Sequence, residues 1–379
     1  MKRFFNLSAV SVALVALLAC SFARSQEPIN VEPTVADGMK WFDATQWPVE
    51  NKGWNDVARY FDRLPSRAEG VVTGGVWTNS RFSAGEIVRF RTNADTIKLR
   101  YKLFSADLAF PHMPATGVSG FDLYAFDDES GCWRWVACNY PRKQEGEVSW
   151  ISGMERKTRD FIVYLPLYNG VDAMSIGVPE DAEFTATSPR AQKPIVYYGT
   201  SISHGGCASR PGNCFTAMLD RRLDVPVLNL GFSGSACMEL PVAELMAEID
   251  AEIYVLDALP NMFPEMVAER ALPFIRKIRE TRPDVPILLV EDRRLSNTWI
   301  VPGQQEFHKR NHAELKKVYD ELKVDDPNLY YLSADTLLGE DLDYDATMDS
   351  SHPNDLGMWR QCNALEEVLR PILEKVRAK

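Results

Sequence analysis

The sequence is short of cationic side chains, and beyond its first residues it lacks any long apolar run. Its 379 residues include 42 lysines and arginines against 53 aspartates and glutamates, a formal charge of −11 at pH 7. An acidic protein binds other polyanions poorly, so this balance argues against nucleic-acid partners and against adsorption to anionic membranes. Polyanionic substrates are also disfavoured, unless a local basic pocket offsets the overall charge.

Histidine and cysteine are scarce as well, with five and seven residues. No two cysteines have a Cys-x-x-Cys spacing, which excludes zinc-ribbon and thioredoxin-like sites. His308 and His312 lie four residues apart on a predicted helix, but no third ligand stands out near them. We interpret this pair as a solvated helix face, and we predict neither a metal site nor a cofactor.

The one long apolar run lies at the start of the chain, where Lys2 and Arg3 precede Phe4–Ala19. It is too short to cross a membrane and is typical of a secretory signal, so we predict a signal peptide over residues 1–25. Two cleavage sites remain open. One is a lipoprotein box ending at Cys20, which would give a lipid tether to the membrane, and the other is an ordinary site at Ser21-Phe22-Ala23.

The resulting expectation is an exported protein, periplasmic or at the cell surface. Disulfides can form in that oxidising environment. Cys132 with Cys138, or Cys207 with Cys214, could each close a short loop. For Cys237 and Cys362, buried free thiols are at least as well supported.

Two regions follow the signal peptide. Residues 26–66 have no regular pattern, whereas residues 70–178 show short alternating runs such as Ile97–Leu103, separated by turn residues. Many short strands without a convincing helix predict a jelly-roll-like β-sandwich domain over residues 26–185. After a polar linker, residues 193–379 alternate strands with helices, which predicts an α/β domain, a three-layer doubly wound parallel sheet.

Four short segments of the second region carry the chemistry: Gly199–Ile202, Asn229–Gly234, Leu259–Asn261 and Asp349–Pro353. Three of them follow predicted strands, and parallel α/β sheets build their sites at such strand ends. A serine hydroxyl becomes a good nucleophile when a histidine takes its proton and a carboxylate orients the ring. Ser201, His352 and Asp349 are the candidates for these three roles.

The same segments offer hydrogen-bond donors for the oxyanion that forms when an ester is attacked. The candidates are the backbone N–H groups of Ser201 and Gly231 and the side-chain amide of Asn261. Together with the nucleophile and base, they are a complete set of groups for ester hydrolysis through an acyl-enzyme.

These segments resemble blocks I, II, III and V of the SGNH (GDSL-type) hydrolases, whose fold is flavodoxin-like. The resemblance implies the family roles for Ser201, Gly231, Asn261 and His352, with Asp349 as the third triad member. The first block reads Gly-Thr-Ser-Ile rather than Gly-Asp-Ser-Leu, and the third lacks the usual Gly-x-Asn-Asp. Three N-terminal stretches resemble the extra domain of a bacterial subgroup: Pro114–Ser119, Gly120–Tyr124 and Tyr164–Gly170.

The predicted function is an exported serine esterase that removes a small acyl group, acetyl being favoured, from a carbohydrate. The expected binding partner is a small-molecule or glycan ester substrate. The carbohydrate preference depends on the resemblance and on export. A lipid or aryl esterase, a thioesterase, and a non-catalytic carbohydrate-binding surface protein remain alternatives. His112 and His204 are the candidates for contact with the substrate, because His112 lies on a loop that could cross an interdomain cleft and His204 follows Ser201 closely.

Overall fold

A computed structural model describes residues 26–339 and 345–378 of the protein. The predicted signal peptide and Cys20 lie outside these residues. Within them, no helix combines the length and apolar character needed to cross a membrane.

The N-terminal region contains two antiparallel sheets that pack face to face. Side chains such as Phe90 and Phe161 from one sheet and Leu99 and Ile176 from the other form the core between them. The predicted β-sandwich fold is therefore confirmed. The strands are β1 (Pro28–Ile29), β2 (Thr34–Ala36), β3 (Met39–Asp43), β4 (Ile87–Thr92), β5 (Ile97–Leu103), β6 (Asp122–Asp127), β7 (Cys132–Cys138), β8 (Glu145–Ile151), β9 (Arg159–Tyr164), β10 (Val171–Pro179) and β11 (Phe184–Thr187).

The strand order is β1-β11-β4-β9-β6-β7 in one sheet and β2-β3-β10-β5-β8 in the other. Residues 26–66 are thus less irregular than expected, since β1 and β2 are edge strands and β3 lies between β2 and β10. β2 pairs with the nearby β3, whereas β1 and β3 pair with strands more than a hundred residues away, as in Pro28 opposite Thr187. Two short helices, α1 (Gly74–Ser80) and α2 (Ala115–Val118), also interrupt the β pattern.

The C-terminal region is built on a parallel sheet of β12 (Ile195–Gly199), β13 (Val227–Gly231), β14 (Ile253–Asp257), β15 (Ile287–Val290) and β16 (Leu329–Leu332). Its order, β13-β12-β14-β15-β16, is the flavodoxin-like order. Every residue of β12, β13, β14 and β15 is buried, because helices cover both faces. The predicted three-layer doubly wound sheet is confirmed.

The helices of this region divide between the two faces of the sheet. After the short α3 (Ser201–His204), α4 (Phe215–Leu223) and α8 (Asp355–Arg377) pack on one face. The helices α5 (Leu240–Glu248), α6 (Pro264–Thr281) and α7 (Pro302–Lys323) pack on the other. Short 3-10 turns lie at Ala44–Gln46, Ser66–Ala68, Pro211–Asn213, Leu259–Asn261 and Ala334–Thr336.

A buried ion-pair network joins the two regions. Glu50, from the N-terminal region, accepts hydrogen bonds from Arg89 and Arg190, and Arg190 also pairs with Asp220 of α4 at 2.7 Å. Burial alone would raise the pKa of Glu50, but the charges of Arg190 and Arg89 outweigh it and lower the pKa to about 2. The linker residue Arg190 therefore bridges one carboxylate of each region.

Candidate active site

The candidate nucleophile lies at the carboxyl end of β12, an interior strand of the parallel sheet. β12 ends at Gly199, Thr200 caps α3, and Ser201 is the first residue of that helix. A β-carbon at Gly199 would lie 2.5 Å from Ser203 Oγ, so only glycine fits this tight strand-to-helix turn. The turn leaves the Ser201 side chain partly exposed, with Oγ 2.8 Å from His352 Nε2.

The loop before α8 brings the candidate base to the serine. His352 Nδ1 lies 2.8 Å from Asp349 Oδ2, while the backbone N–H groups of Ser351 and His352 donate to Asp349 Oδ1 at 3.1 and 2.8 Å. Partial burial favours the protonated carboxyl, but the hydrogen bonds from His352 and Ser351 prevail and lower the pKa of Asp349. An ionised Asp349 can orient the imidazole and stabilise its protonated form. This is the geometry of a Ser-His-Asp triad.

The oxyanion donors differ from the prediction at one position. The Gly231 N–H donates to Asn229 Oδ1 at 2.8 Å and the residue is buried, so this N–H is not free to bind a substrate oxygen. The predicted role of Gly231 is therefore wrong. Its absent side chain matters instead, because a β-carbon there would lie 2.3 Å from the backbone nitrogen of His204.

Gly234, three residues further on, has the properties that Gly231 lacks. Its φ of 65° lies in the left-handed region, and no atom lies within 4 Å of where its β-carbon would be. Its N–H meets no acceptor in residues 26–339 and 345–378. The sequence signal for it was the second glycine of Gly231-Phe232-Ser233-Gly234, which the strand-end argument passed over.

Asn261 lies in the 3-10 turn after β14, beside the turn that contains Gly234. Its amide donates to Ala236 O at 3.2 Å, which uses one of its two N–H groups. The second can point towards a ligand, since the residue is only half-buried. Ser201 supplies another donor, because the first N–H of a helix has no acceptor within the helix.

The N-terminal region reaches the nucleophile directly. Tyr168 donates its hydroxyl to Ser201 O at 3.1 Å, and its ring stacks on His204 with 4.2 Å between the ring centres. His204 is fully buried, so it cannot touch substrate, contrary to the prediction. Burial and the nearby Arg63 charge lower the pKa of His204 well below its usual value, which keeps the ring neutral.

Arg63, also from the N-terminal region, holds the end of β13. Its Nη1 donates to the carbonyl oxygens of Asn229 and Gly231, both at 2.9 Å, and the side chain is 1% exposed. Asn79 adds a hydrogen bond from Nδ2 to Ser233 O at 3.1 Å. The sequence analysis missed both residues, since nothing near them in the chain marks a contact with a segment more than 150 residues away.

His112 lies where the sequence analysis placed it, on a loop of the N-terminal region at the candidate site. The ring is exposed, and its centre lies 6.5 Å from that of His352. Phe110 packs between His112 and Tyr168, with ring centres 6.0 and 5.6 Å away. A substrate bound at Ser201 would lie beside this loop.

The interpretation of His308 and His312 as a solvated helix face is wrong. His308 is 5% exposed, and both rings face Asp292, which follows β15. The ligand atoms of the three residues lie within 4.8 Å of one another, the only such group found in the described residues. Each ring nitrogen that faces Asp292 is within hydrogen-bonding distance of it, and this contact raises the pKa of His312 against the effect of burial. Asp292 was missed because it reaches the pair only in the folded chain.

The six cysteines within the described residues are all free. Neither Cys132 with Cys138 nor Cys207 with Cys214 forms a disulfide. Cys207, Cys214 and Cys362 are buried, and burial raises the pKa of each thiol, to about 11 for Cys207. These residues therefore pack as small apolar groups.

Comparison with known families agrees with this two-part architecture. Residues 192–370 match the model of the GDSL-like lipase/acylhydrolase family. Residues 39–184 match the GxDLY domain, the N-terminus of SGNH-hydrolase-type esterases. A comparison with curated protein sequences found no match.

Several solved structures are similar. A protein from Bacteroides ovatus described as a GDSL-like lipase is 29% identical, with a TM-score of 0.84, over 89% of this chain and 98% of that one. The salicylyl-acyltransferase SsfX3 of a tetracycline biosynthetic pathway is 16% identical, with a TM-score of 0.67, over 92% and 98%. A family two carbohydrate esterase from Clostridium thermocellum is 12% identical, with a TM-score of 0.56, over 77% and 93%, and like SsfX3 shows the fold alone.

Proposed function

Because the chain joins the N-terminal domain of SGNH-hydrolase-type esterases to a GDSL-like lipase/acylhydrolase domain, we propose that it is a serine esterase that removes acetyl groups from carbohydrate. The observation that carries the proposal is the relay of two contacts, each 2.8 Å, from Ser201 through His352 to Asp349. A buried structural serine has no need of such a relay. An open site flanked by His112 suits a bulky ester such as a glycan.

In the proposed mechanism, His352 Nε2 accepts the hydroxyl proton as Ser201 Oγ attacks the ester carbonyl carbon. The oxyanion receives hydrogen bonds from the N–H groups of Ser201 and Gly234 and from the Asn261 amide. The intermediate collapses, the bond between the carbonyl carbon and the sugar oxygen breaks, and His352 protonates the departing sugar alcohol. Water, deprotonated by His352, then attacks the acyl-enzyme, and the second collapse releases acetate and returns the proton to Ser201.

The test compares the wild-type protein with Ser201→Ala and with the matched variant Ser203→Ala, whose hydroxyl is buried and donates to Thr200 O. The substrates are a chromogenic acetate ester and acetylated polysaccharides, with acetate release as the readout. Ser201→Ala should lose at least ~10³-fold in kcat, as triad members do, whereas Ser203→Ala keeps an intact triad. Full turnover in a folded Ser201→Ala protein would contradict the mechanism. Carbohydrate binding by a wild-type protein without esterase activity would favour the non-catalytic alternative.

Export is part of the proposal, supported by the apolar run after Lys2 and Arg3. If Cys20 carries lipid, the wild-type protein should sediment with membranes, and Cys20→Ala should move it to the soluble fraction. An unprocessed cytoplasmic protein would contradict export. Soluble wild-type protein of processed length would instead indicate ordinary cleavage.

A further inference from the structure

A cavity of about 660 Å³ lies between the two domains, beside α4 and α8. Aromatic and cationic side chains from both domains form much of its wall: Trp133, Trp135, Trp359, Arg210, Arg221 and Arg222. This is an unusual concentration of positive charge for a chain whose formal charge is −11. It is the kind of local basic pocket that can override an acidic surface.

Two of the tryptophans expose large apolar surfaces. Trp135 is 53% exposed and Trp359 is 49% exposed. The Trp135 ring is anchored by its Nε1, which donates to Asp122 Oδ1 at 2.9 Å. The Trp359 ring has the Arg222 guanidinium 5.9 Å from its centre. Exposed aromatic faces gain free energy when an apolar surface covers them, and the C–H face of a pyranose ring is such a surface.

Carboxylates pair with two of the three arginines that line the cavity. Glu366 is shared between Arg222 and Arg370, and Arg210 pairs with the buried Asp122 at 2.7 Å. The other lining carboxylate, Asp224, pairs with Arg190.

Arg221 is held mainly by neutral groups: it donates to Gly212 O at 2.7 Å, and its guanidinium lies 4.2 Å from the centre of the Tyr124 ring. Its Nη1 meets no acceptor in the described part of the chain. The lining residues thus comprise three arginines and two carboxylates, a formal charge of +1, and Arg221 is the arginine among them that no described carboxylate pairs with.

The cavity adjoins the triad through two chain segments. Ser209, next to Arg210, hydrogen-bonds through N and Oγ to Asp355, the first residue of α8. Trp359 lies one turn further along that helix. A β-carbon at Gly206 would lie 3.1 Å from the His352 ring, and Arg210 is four positions further along the chain. An extended chain spans at most ~3.5 Å per residue, so the Cα atom of Arg210 lies within ~14 Å of the Cα atom of Gly206.

We propose that this cavity binds an acidic sugar residue of the glycan substrate, with its ring against Trp135 or Trp359 and its anionic group near Arg221 and Arg222. Guanidinium groups bind carboxylate and sulfate oxygens through paired hydrogen bonds, so either anion has the required chemistry. The inference rests on the proposed function and narrows it, since the esterified glycan would itself be acidic.

The experiment measures calorimetric binding to the full chain carrying Ser201→Ala, which prevents turnover. The ligands are three oligosaccharides of equal length: a uronic acid oligomer, a sulfated oligomer and a neutral oligomer. At least one acidic ligand should bind 10-fold or more tightly than the neutral one, and added salt should weaken it. The preferred acidic ligand identifies the anion.

Trp359→Ala and Arg222→Gln, each added to Ser201→Ala, should weaken the acidic ligand at least 10-fold. Two matched control variants should leave the binding of the acidic ligand unchanged. Tyr140→Ala removes an exposed aromatic ring of the N-terminal domain that lies outside the cavity. Arg276→Gln removes an exposed arginine on the opposite face of the parallel sheet. Circular dichroism would verify that the variants fold. Equal affinity for the neutral ligand, or unchanged binding by both cavity variants, would overturn the proposal.

Activity separates this inference from the function on which it rests. With Ser201 intact, Trp359→Ala should hydrolyse a chromogenic acetate ester at the wild-type rate and lose activity only towards acidic glycans. A wild-type protein that cleaves no ester but binds acidic oligosaccharides through Trp359 would reject the esterase and keep the binding site. An active esterase that does not bind the acidic oligosaccharides would reject the binding site and keep the esterase function.

Discussion

Gly234 and Gly153 both have a positive φ, but only Gly234 lies at the candidate active site. Gly153 lies in the loop after β8. Their φ angles are 65° and 78°, and neither has an atom within 4 Å of the β-carbon position. Alanine at either position should cost ~1–2 kcal/mol of stability, because side chains disfavour the left-handed region. If the Gly234 N–H binds the oxyanion, Gly234→Ala should also lower kcat about 10-fold or more, since the strain turns that N–H. Gly153→Ala should leave kcat unchanged, and equal kcat in both variants would exclude the role.

Asn261 provides a second test of the oxyanion donors. Asn261→Ala removes an amide that is needed mainly in the transition state, so kcat should fall by roughly 10²–10³ with little change in KM. Steady-state kinetics on a chromogenic acetate ester would measure both constants. A rise confined to KM would mean that Asn261 positions the substrate without stabilising the oxyanion.

At this scale, the sequence predicted the triad members that the structure brings together, but not every neighbour. Ser201 and His352 follow recognisable local patterns. Gly231 looked like a donor because it ends a strand, and only the fold shows that the Asn229 side chain already occupies its N–H. Likewise, the sequence suggested that His308 is exposed to solvent. Its hydrogen-bond partner, Asp292, is not on the same helix and reaches His308 only in the folded chain.

At the scale of elements, the end of β13, which leads to the turn that contains Gly234, is held by the N-terminal domain. Arg63→Met removes the hydrogen bonds to Asn229 O and Gly231 O and leaves these carbonyls buried without their donor. We expect a loss of a few kcal/mol in stability and a decrease in kcat of about 10-fold at constant KM. Arg63→Lys keeps the charge and should recover part of kcat. Melting curves and kinetics on the same samples check this, and a stability loss without any change in kcat would limit Arg63 to a structural role.

The elements themselves were predictable to different degrees. The strands β12 to β16 are apolar runs bounded by proline, glycine or polar residues, and burial on both faces makes such runs conspicuous. The strands β1 to β3 have two to five residues each, and β1 and β3 owe their conformation to the distant strands β11 and β10. Pairing of that kind cannot be inferred from a local pattern, so the segment looked irregular.

For the whole molecule, we expect the stability of the fold to depend on pH through a carboxyl group buried near the domain interface. Glu86 is fully buried, neither of its carboxyl oxygens has a hydrogen-bond partner in the described residues, and burial raises its pKa from 4.5 to about 8 although Lys52 and Arg63 oppose the shift. Because the folded-state pKa is the higher one, the favourable contribution is complete below pH 4.5. It is lost as the pH rises through about 8, by ~1.4 kcal/mol for each unit of pKa difference.

Glu86→Gln keeps the shape of the side chain and cannot ionise. Relative to this variant, the wild-type protein should lose stability as the pH rises from about 5 to 8, and the difference should stop growing above that. Urea unfolding at several pH values would measure it. A difference that is constant over this range would show that Glu86 ionises alike in both states.

The contacts of Arg63 also constrain how the two domains could have evolved. The N-terminal domain supplies a buried cation to the backbone of the hydrolase domain, and Tyr168 supplies a hydroxyl to the carbonyl of Ser201. Recombination that exchanged one domain alone would leave the candidate active site without the contacts that Arg63 and Tyr168 make. The pair is therefore expected to be inherited as a unit, and chimaeras that take one domain from each of two relatives should lose the activity that both parents have.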